Sequence, residues 1–116
     1  MRHAGLTDNV SMWGATDGAY YWEKVNGGPV WEQKGHWRDQ SPSAYAPRFR
    51  TPMLITHGER DFRVPINQAF EIYKLLQRQR VPCRLVIFPD ASHWVLKGED
   101  ARQHMAEVLG WLKKYL

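Results

Sequence analysis

Two stretches of the chain are apolar without interruption, and two others are apolar at helical spacing. Met53, Leu54, Ile55 and Thr56 lie between Pro52 and Gly58, and Leu85, Val86, Ile87 and Phe88 follow Cys83 in a run that ends at Pro89 and Asp90. Short runs of this kind, bounded by Pro and Gly, predict strands buried on both faces, as parallel sheets contain. Between them Ala69, Ile72, Tyr73 and Leu76 recur three and four apart, with Phe70 and Leu75 widening the face. This predicts a helix capped by Asn67, running to about Arg80 and stopped by Val81-Pro82. After the second strand, Gly98-Glu99-Asp100 opens a last helix with two acids at the positive end of its dipole. Its predicted core stripe is Met105, Val108, Leu109, Leu112 and Leu116, with Lys113 and Lys114 at the opposite end.

Residues 1–50 have no such rhythm. His3-Ala4-Gly5 reads as the end of an element that starts upstream. Val10, Trp13, Tyr20, Tyr21 and Trp22 surround Gly14 and Gly18, which predicts a short helix or a pair of turns carrying aromatics. Asn26-Gly27-Gly28-Pro29 is a turn by composition. Val30–Asp39 reads as loop, anchored by Trp31 and Trp37. Ser41-Pro42 predicts an N-cap and a first helical position, for a helix that ends by Ala46 ahead of Pro47. The expected organisation is one partial α/β domain over 1–116. An aromatic-rich loop and short-helix segment (1–50) precedes a strand-helix-strand-helix unit (51–116). That order is the doubly wound pattern, with a parallel, right-handed crossover.

In such sheets chemistry gathers beyond the carboxyl ends of the strands. Asp61 lies just past the first strand and His93 just past the second, 93 − 61 = 32 residues on. One helix, one strand and two loops fill that gap, so the topology sets both residues at one edge on neighbouring strands. An acid behind an imidazole is what a hydrolytic triad needs: the carboxylate fixes the tautomer, and the imidazole takes the nucleophile's proton. The order acid then base is also that of the α/β-hydrolases, whose serine comes earlier in a G-x-S-x-G turn. Ser11, Ser41, Ser43 and Ser92 all lack those flanking glycines. His57 reads as a structural residue bonding the turn, and Arg60 and Arg63 as surface groups or as charge support for Asp61. His36 and His104 have no partner the sequence can name. No metal-ligand spacing and no cofactor motif is visible.

Composition adds a few limits. Hydrophobic content of 43% and charged content of 24% are ordinary for a globular chain. The net charge is +4, but Arg38, Arg48 and Arg50 on one loop and Lys74, Arg78 and Arg80 on one helix form no basic stripe, which argues against nucleic acid. Cys83 is alone, so no internal disulfide forms, and a half-buried thiol is expected. No apolar run reaches the length of a spanning helix and no signal peptide is visible. The expectation is a soluble protein without membrane contact, cytoplasmic or periplasmic. Four of the six Trp fall before residue 38, a density that packs a core or lines an apolar pocket.

HGERDFRVP, then NQAFEIYKLLQ, then FPDASHW together resemble the C-terminal part of the catalytic domain of prolyl oligopeptidase family serine peptidases. The bacterial acylaminoacyl-peptidase and dipeptidyl-peptidase type is the nearest in pattern, and the likeness covers nearly the whole chain. The resemblance implies an α/β-hydrolase fold, Asp61 as triad acid and His93 as triad base. It sets Trp13, Tyr20, Tyr21 and Trp22 where the family places aromatics near the pocket for the residue before the scissile bond. The family's G-x-S-x-G-G turn and its β-propeller have no counterpart in these residues. The expectation is therefore a peptide substrate for the parent protein, a missing N-terminal part as partner, and a chain inert alone. Two other readings stand beside it. One is a non-catalytic α/β interaction module that forms homo-oligomers or exchanges strands. The other is an esterase of the same fold.

Overall fold

The structure, a computed structural model, describes residues 1–32 and 36–116. Three parallel strands form one sheet in the order β1 (Arg2–His3), β2 (Met53–Gly58), β3 (Cys83–Phe88). His3 lies opposite Thr56, and Gly58 opposite Phe88, so β2 and β3 end side by side. The two predicted strands are thus present, and His3 does end an element, the short β1. The α/β-hydrolase arrangement of parallel strands alternating with helices is observed.

Successive strand residues point to opposite faces, and each face of β2 has its own core. Ile55 packs with Ala69, Ile72 and Leu76 of α3 (Asn67–Arg78) and with Val81. Leu54 packs on the other side with Val86, Phe88, Ala91 and Val95, against Val108 and Trp111 of α4 (Gly98–Tyr115). β2 is buried from Leu54 to Gly58, as an inner strand should be. β3 departs from the expectation: only Val86 and Phe88 are buried, and among the described residues no strand pairs with its outer edge.

Helix details differ from the sequence reading in several places. Asn67 does not cap α3. Ile66 stands at the cap with helical backbone, and the Asn67 amide instead donates to Glu71 Oε1 at 3.2 Å. Phe70 is exposed and so does not widen the buried face. The core stripe predicted for α4 is displaced. His104, Val108 and Trp111 meet the sheet, whereas Met105, Leu109, Leu112 and Leu116 are exposed. The helix is amphipathic as predicted, but the described residues bring the sheet to one flank of the apolar side only.

The first 50 residues fold into two short helices, α1 (Asn9–Trp13) and α2 (Ala19–Asn26), and two 3-10 turns, Val30–Glu32 and Pro42–Arg48. Asp8 caps α1 by accepting from Val10 N and Ser11 N. Gly27 ends α2 with φ of 82°, the left-handed conformation that glycine adopts without a Cβ clash. Pro47 lies inside its 3-10 turn, which therefore runs past Ala46 to Arg48. Ser41 makes no cap bond there, its hydroxyl donating to Trp37 O. Trp37 is the buried anchor, its indole N–H donating to Gly28 O at 3.0 Å, while Trp31 is exposed and only edges against Trp13. Residues 33–35 of the loop read over Val30–Asp39 lie outside the described residues.

Candidate active site

β2 runs straight into a tight turn, and the turn holds the acid. Asp61 N donates to Gly58 O, and Asp61 Oδ1 accepts from Arg63 N at 3.0 Å and Val64 N at 2.9 Å. An Asp bonding main-chain amides just beyond itself is a common turn device. Here it also leaves Oδ2 free to face the end of β3. His93 Nδ1 lies 2.8 Å from Oδ2. A carboxylate only accepts, so the proton is on Nδ1, and the opposite ring nitrogen, Nε2, is left as the acceptor. The Asp61 side chain has no exposure and that of His93 is 31% exposed, so the pair has a dry acid and a reachable base.

His57 lies beneath this turn. Its Nε2–H donates to Val64 O at 2.6 Å and stands 3.6 Å from Asp61 Oδ2. Burial pushes the His57 pKa below the usual imidazole value, against the opposing pull of the Val64 carbonyl and of Asp61. The ring is therefore held neutral at pH 7 and leaves the carboxylate to His93. The reading of His57 as a turn-bonding residue fits this geometry.

The loop that bears His93 is docked directly on the acid turn. Glu59 N donates to Phe88 O at 2.9 Å and Arg60 N to Ala91 O at 3.0 Å. The approach is so close that a Cβ on Gly58 would lie 2.1 Å from Ser92 O and 2.5 Å from Ala91 O. The two arginines serve other partners than Asp61. Arg60 pairs with Asp90 and Arg63 with Asp17, both in exposed bridges. Charge support for Asp61 thus comes from main-chain amides and not from a guanidinium.

The four aromatics of the sequence reading are not drawn onto this pair. Trp13 donates to Glu23 Oε1, Tyr20 and Tyr21 project outward, and Trp22 stacks edgewise on Tyr21. Their segment is tied to the acid turn through Asp17 N to Phe62 O at 2.9 Å and Thr16 Oγ1 to Arg63 O at 2.7 Å. Buried Gln68 of α3 fixes the segment's start by accepting from Thr7 N and Asp8 N and donating to Ser11 Oγ. The exposed aromatics that flank the pair are Phe62, next to Asp61, and Trp94, whose ring lies 5.0 Å from that of His93. Their place beside the acid and the base in sequence was the signal available for them. His104, without a nameable partner in the sequence, lies 3.1 Å from Thr56 Oγ1. Burial, and secondarily His3, lower its pKa.

An imidazole held by a buried carboxylate, with its second ring nitrogen free to accept, has the arrangement that general-base chemistry uses. Among the described residues no serine hydroxyl bonds His93 Nε2. Ser11 and Ser43 are engaged with Asp8, and Ser41 with Trp37.

A family model described as the prolyl oligopeptidase family matches residues 1–116, the entire chain. The chain belongs to the prolyl oligopeptidase family, a family of serine peptidases. Dipeptidyl-peptidase 5 of Aspergillus oryzae is 38% identical over 84 residues, covering 72% of this chain and 11% of that protein. A probable dipeptidyl-peptidase 5 of Emericella nidulans is 43% identical over 68 residues, or 59% of this chain and 9% of the relative. The chain thus spans about a tenth of the length of these relatives. Among solved structures, the acylaminoacyl peptidase of Pyrococcus horikoshii superposes with a TM-score of 0.89 at 20% identity, covering 98% of this chain and 19% of the other. A puromycin-hydrolyzing peptidase of Mycobacterium tuberculosis gives 0.85 at 23% identity, covering 98% and 18%. At that identity the two structures establish the fold. Membership of the prolyl oligopeptidase family rests on the sequence match.

Proposed function

We propose that this chain supplies the acid and the base of a Ser-His-Asp relay that hydrolyses peptide bonds. Asp61 is the acid, His93 is the base, and a serine from outside these 116 residues is the nucleophile. The observation that carries this reading is the 2.8 Å bond from His93 Nδ1 to a carboxylate whose other oxygen is held by two main-chain amides. In the reaction, His93 Nε2 takes the serine proton as the hydroxyl attacks the carbonyl carbon. Buried Asp61 stabilises the imidazolium, which then protonates the leaving amine. The names of the relatives, dipeptidyl-peptidases and acylaminoacyl peptidase, favour a peptide substrate. Phe62 and Trp94, exposed beside the pair, offer it apolar contact.

The test uses the longer protein that contains this sequence, with a chromogenic peptide. Asp61→Asn lowers kcat by about 10⁴-fold through the wrong imidazole tautomer, and His93→Ala abolishes the relay. Full activity in His93→Ala rejects the assignment. The isolated chain is expected to hydrolyse neither peptide nor ester and to take up no fluorophosphonate probe. Stoichiometric serine labelling would contradict that. Matched amide and ester substrates separate a peptidase from an esterase of the same fold.

A second reading concerns association. The flank of α4 formed by Met105, Leu109, Leu112 and Leu116 is apolar and exposed, and β1 leaves one edge of the sheet unpaired among the described residues. Such surfaces favour pairing with another chain or segment. The isolated chain is therefore expected to form homo-oligomers, by helix packing or strand exchange.

A further inference from the structure

Residues Ser92 to Leu96 form a loop between β3 and α4, and such loops are held by few main-chain bonds. Val95 is buried in the core and pins one end of it. Among the described residues, one hydrogen bond reaches the main chain between Ser92 and Leu96, and it ends on the carbonyl of His93 itself. Its partner is His3 Nε2, at 3.1 Å. A bond at that carbonyl restrains the peptide plane next to the Cα of His93, and so the backbone position from which its ring departs.

The rest of the network determines the proton positions. A carbonyl only accepts, so His3 Nε2 bears the hydrogen. Nδ1 of the neutral ring is then an acceptor, and Thr56 Oγ1, 2.9 Å away, donates to it. The lone pair left on Thr56 Oγ1 accepts from His104 Nε2 at 3.1 Å. Each member is satisfied in a single direction, from α4 through β2 and β1 to the loop. The His3 and His104 rings are 4.9 Å apart, and His104 in turn stands edge-on to Phe88. The anchor is thus built on three elements of the sheet-and-helix frame.

We propose that His3 is a positioning residue for His93, set in the required tautomer by Thr56 and His104. The inference rests on the reading of His93 as the base. His3 touches neither the carboxylate nor the free Nε2 of His93. It acts through the main chain, by holding the ring where Nδ1 meets Asp61. Nothing in the local sequence announces it, because His3 and His93 are 90 residues apart.

The test reads the Nδ1 proton of His93 by NMR on this chain at a pH where the rings are neutral. Wild type is expected to show a downfield Nδ1–H resonance that disappears in Asp61→Asn. Its exchange rate with solvent reports how often the loop leaves the acid. His3→Leu removes the donor and raises that rate about 2- to 10-fold, the worth of one net hydrogen bond. His3→Gln puts an amide N–H near the Nε2 position and restores the rate to within about twofold. Thr56→Val keeps the β-branched shape, releases His3 into a mixture of tautomers visible in its ring ¹⁵N shifts, and speeds exchange in the same direction. A rate in His3→Leu equal to wild type, with the chain folded by circular dichroism, overturns the proposal. Should His3→Leu fail to fold, an unchanged rate in Thr56→Val overturns it instead. Absence of any Asp61-dependent resonance in wild type defeats the acid–base reading itself, a separate outcome.

Discussion

Substitution of Gly58 by Ala is the most direct test of how Asp61 and His93 are brought together. Gly58 does not have positive φ, unlike Gly27, Gly28 and Gly98, so alanine accepts its backbone without strain. The effect is therefore one of contact alone. The added methyl would stand 2.1 Å from Ser92 O and 2.5 Å from Ala91 O, and ordinary contact begins at 3.4 Å. The base loop must withdraw by 3.4 − 2.1 = 1.3 Å, and both clashing atoms are main chain, with no side chain to swing aside. Taken up along the bond axis, that movement stretches the His93–Asp61 contact from 2.8 to 2.8 + 1.3 = 4.1 Å, out of hydrogen-bond range. It also strains the bonds from Arg60 N to Ala91 O and from Glu59 N to Phe88 O. At about 0.5–1.5 kcal/mol for each, the two come to about 1–3 kcal/mol of stability, the range of an overpacked core position. Urea unfolding of the chain measures that loss. A misplacement of roughly 1 Å is worth on the order of 10²-fold in rate, read as kcat/KM in the longer protein. An unchanged urea midpoint together with a retained His93 Nδ1–H resonance would refute the close-approach argument.

Two further predictions concern stability and association. His57 and His104 both have depressed pKa values in the fold. Unfolded imidazole takes its proton near pH 6.5, so below that the unfolded chain binds more protons and stability rises with pH. The contribution is complete above about pH 6.5 and is lost as pH falls toward the folded values. Urea midpoints measured from about pH 7.5 to 5 should fall, and less steeply in His57→Gln; a flat profile contradicts the assignment. On α4, replacing exposed Leu109 and Leu112 by Lys and Glu removes apolar area from the open flank. Sedimentation is expected to show concentration-dependent association of the wild-type chain and its loss in the double variant, and a clean wild-type monomer at high concentration would sink the idea.

Much of the frame is written locally. Continuous apolar residues between breakers mark Met53–Gly58 and Cys83–Phe88, and periodic ones mark Asn67–Arg78. Because the order strand, helix, strand leaves few ways to connect a parallel pair, it also places Asp61 and His93 at one edge. Their shared edge was legible in topology, and the tertiary structure adds the distance and the oxygen and nitrogen that meet.

What the sequence leaves open is everything that depends on which neighbour covers a given surface. Periodicity declares α4 amphipathic, but the row that meets the sheet is His104, Val108 and Trp111, and the row of Leu109 and Leu112 stays outside. Apolar spacing records that a face will be buried without naming its partner. Asn67 and Ser41 carry cap chemistry, yet neither caps: Ile66 holds the cap position and leaves Asn67 Oδ1 buried without a partner among the described residues, and Ser41 Oγ accepts from Asn9 N instead of a helix amide. The contacts that reach the His93 carbonyl join residues far apart in the chain: His3 with Thr56, Thr56 with His104, His3 with His93. No local pattern encodes such pairs. The sequence by itself determined the strands and helices of 51–116, their order and the placing of Asp61 and His93 just past the strand ends, since these follow from short-range sterics and hydrophobic periodicity. Only the tertiary structure decided how the loop of His93 is held against Asp61, since that depends on main chain meeting main chain across the glycine at 58.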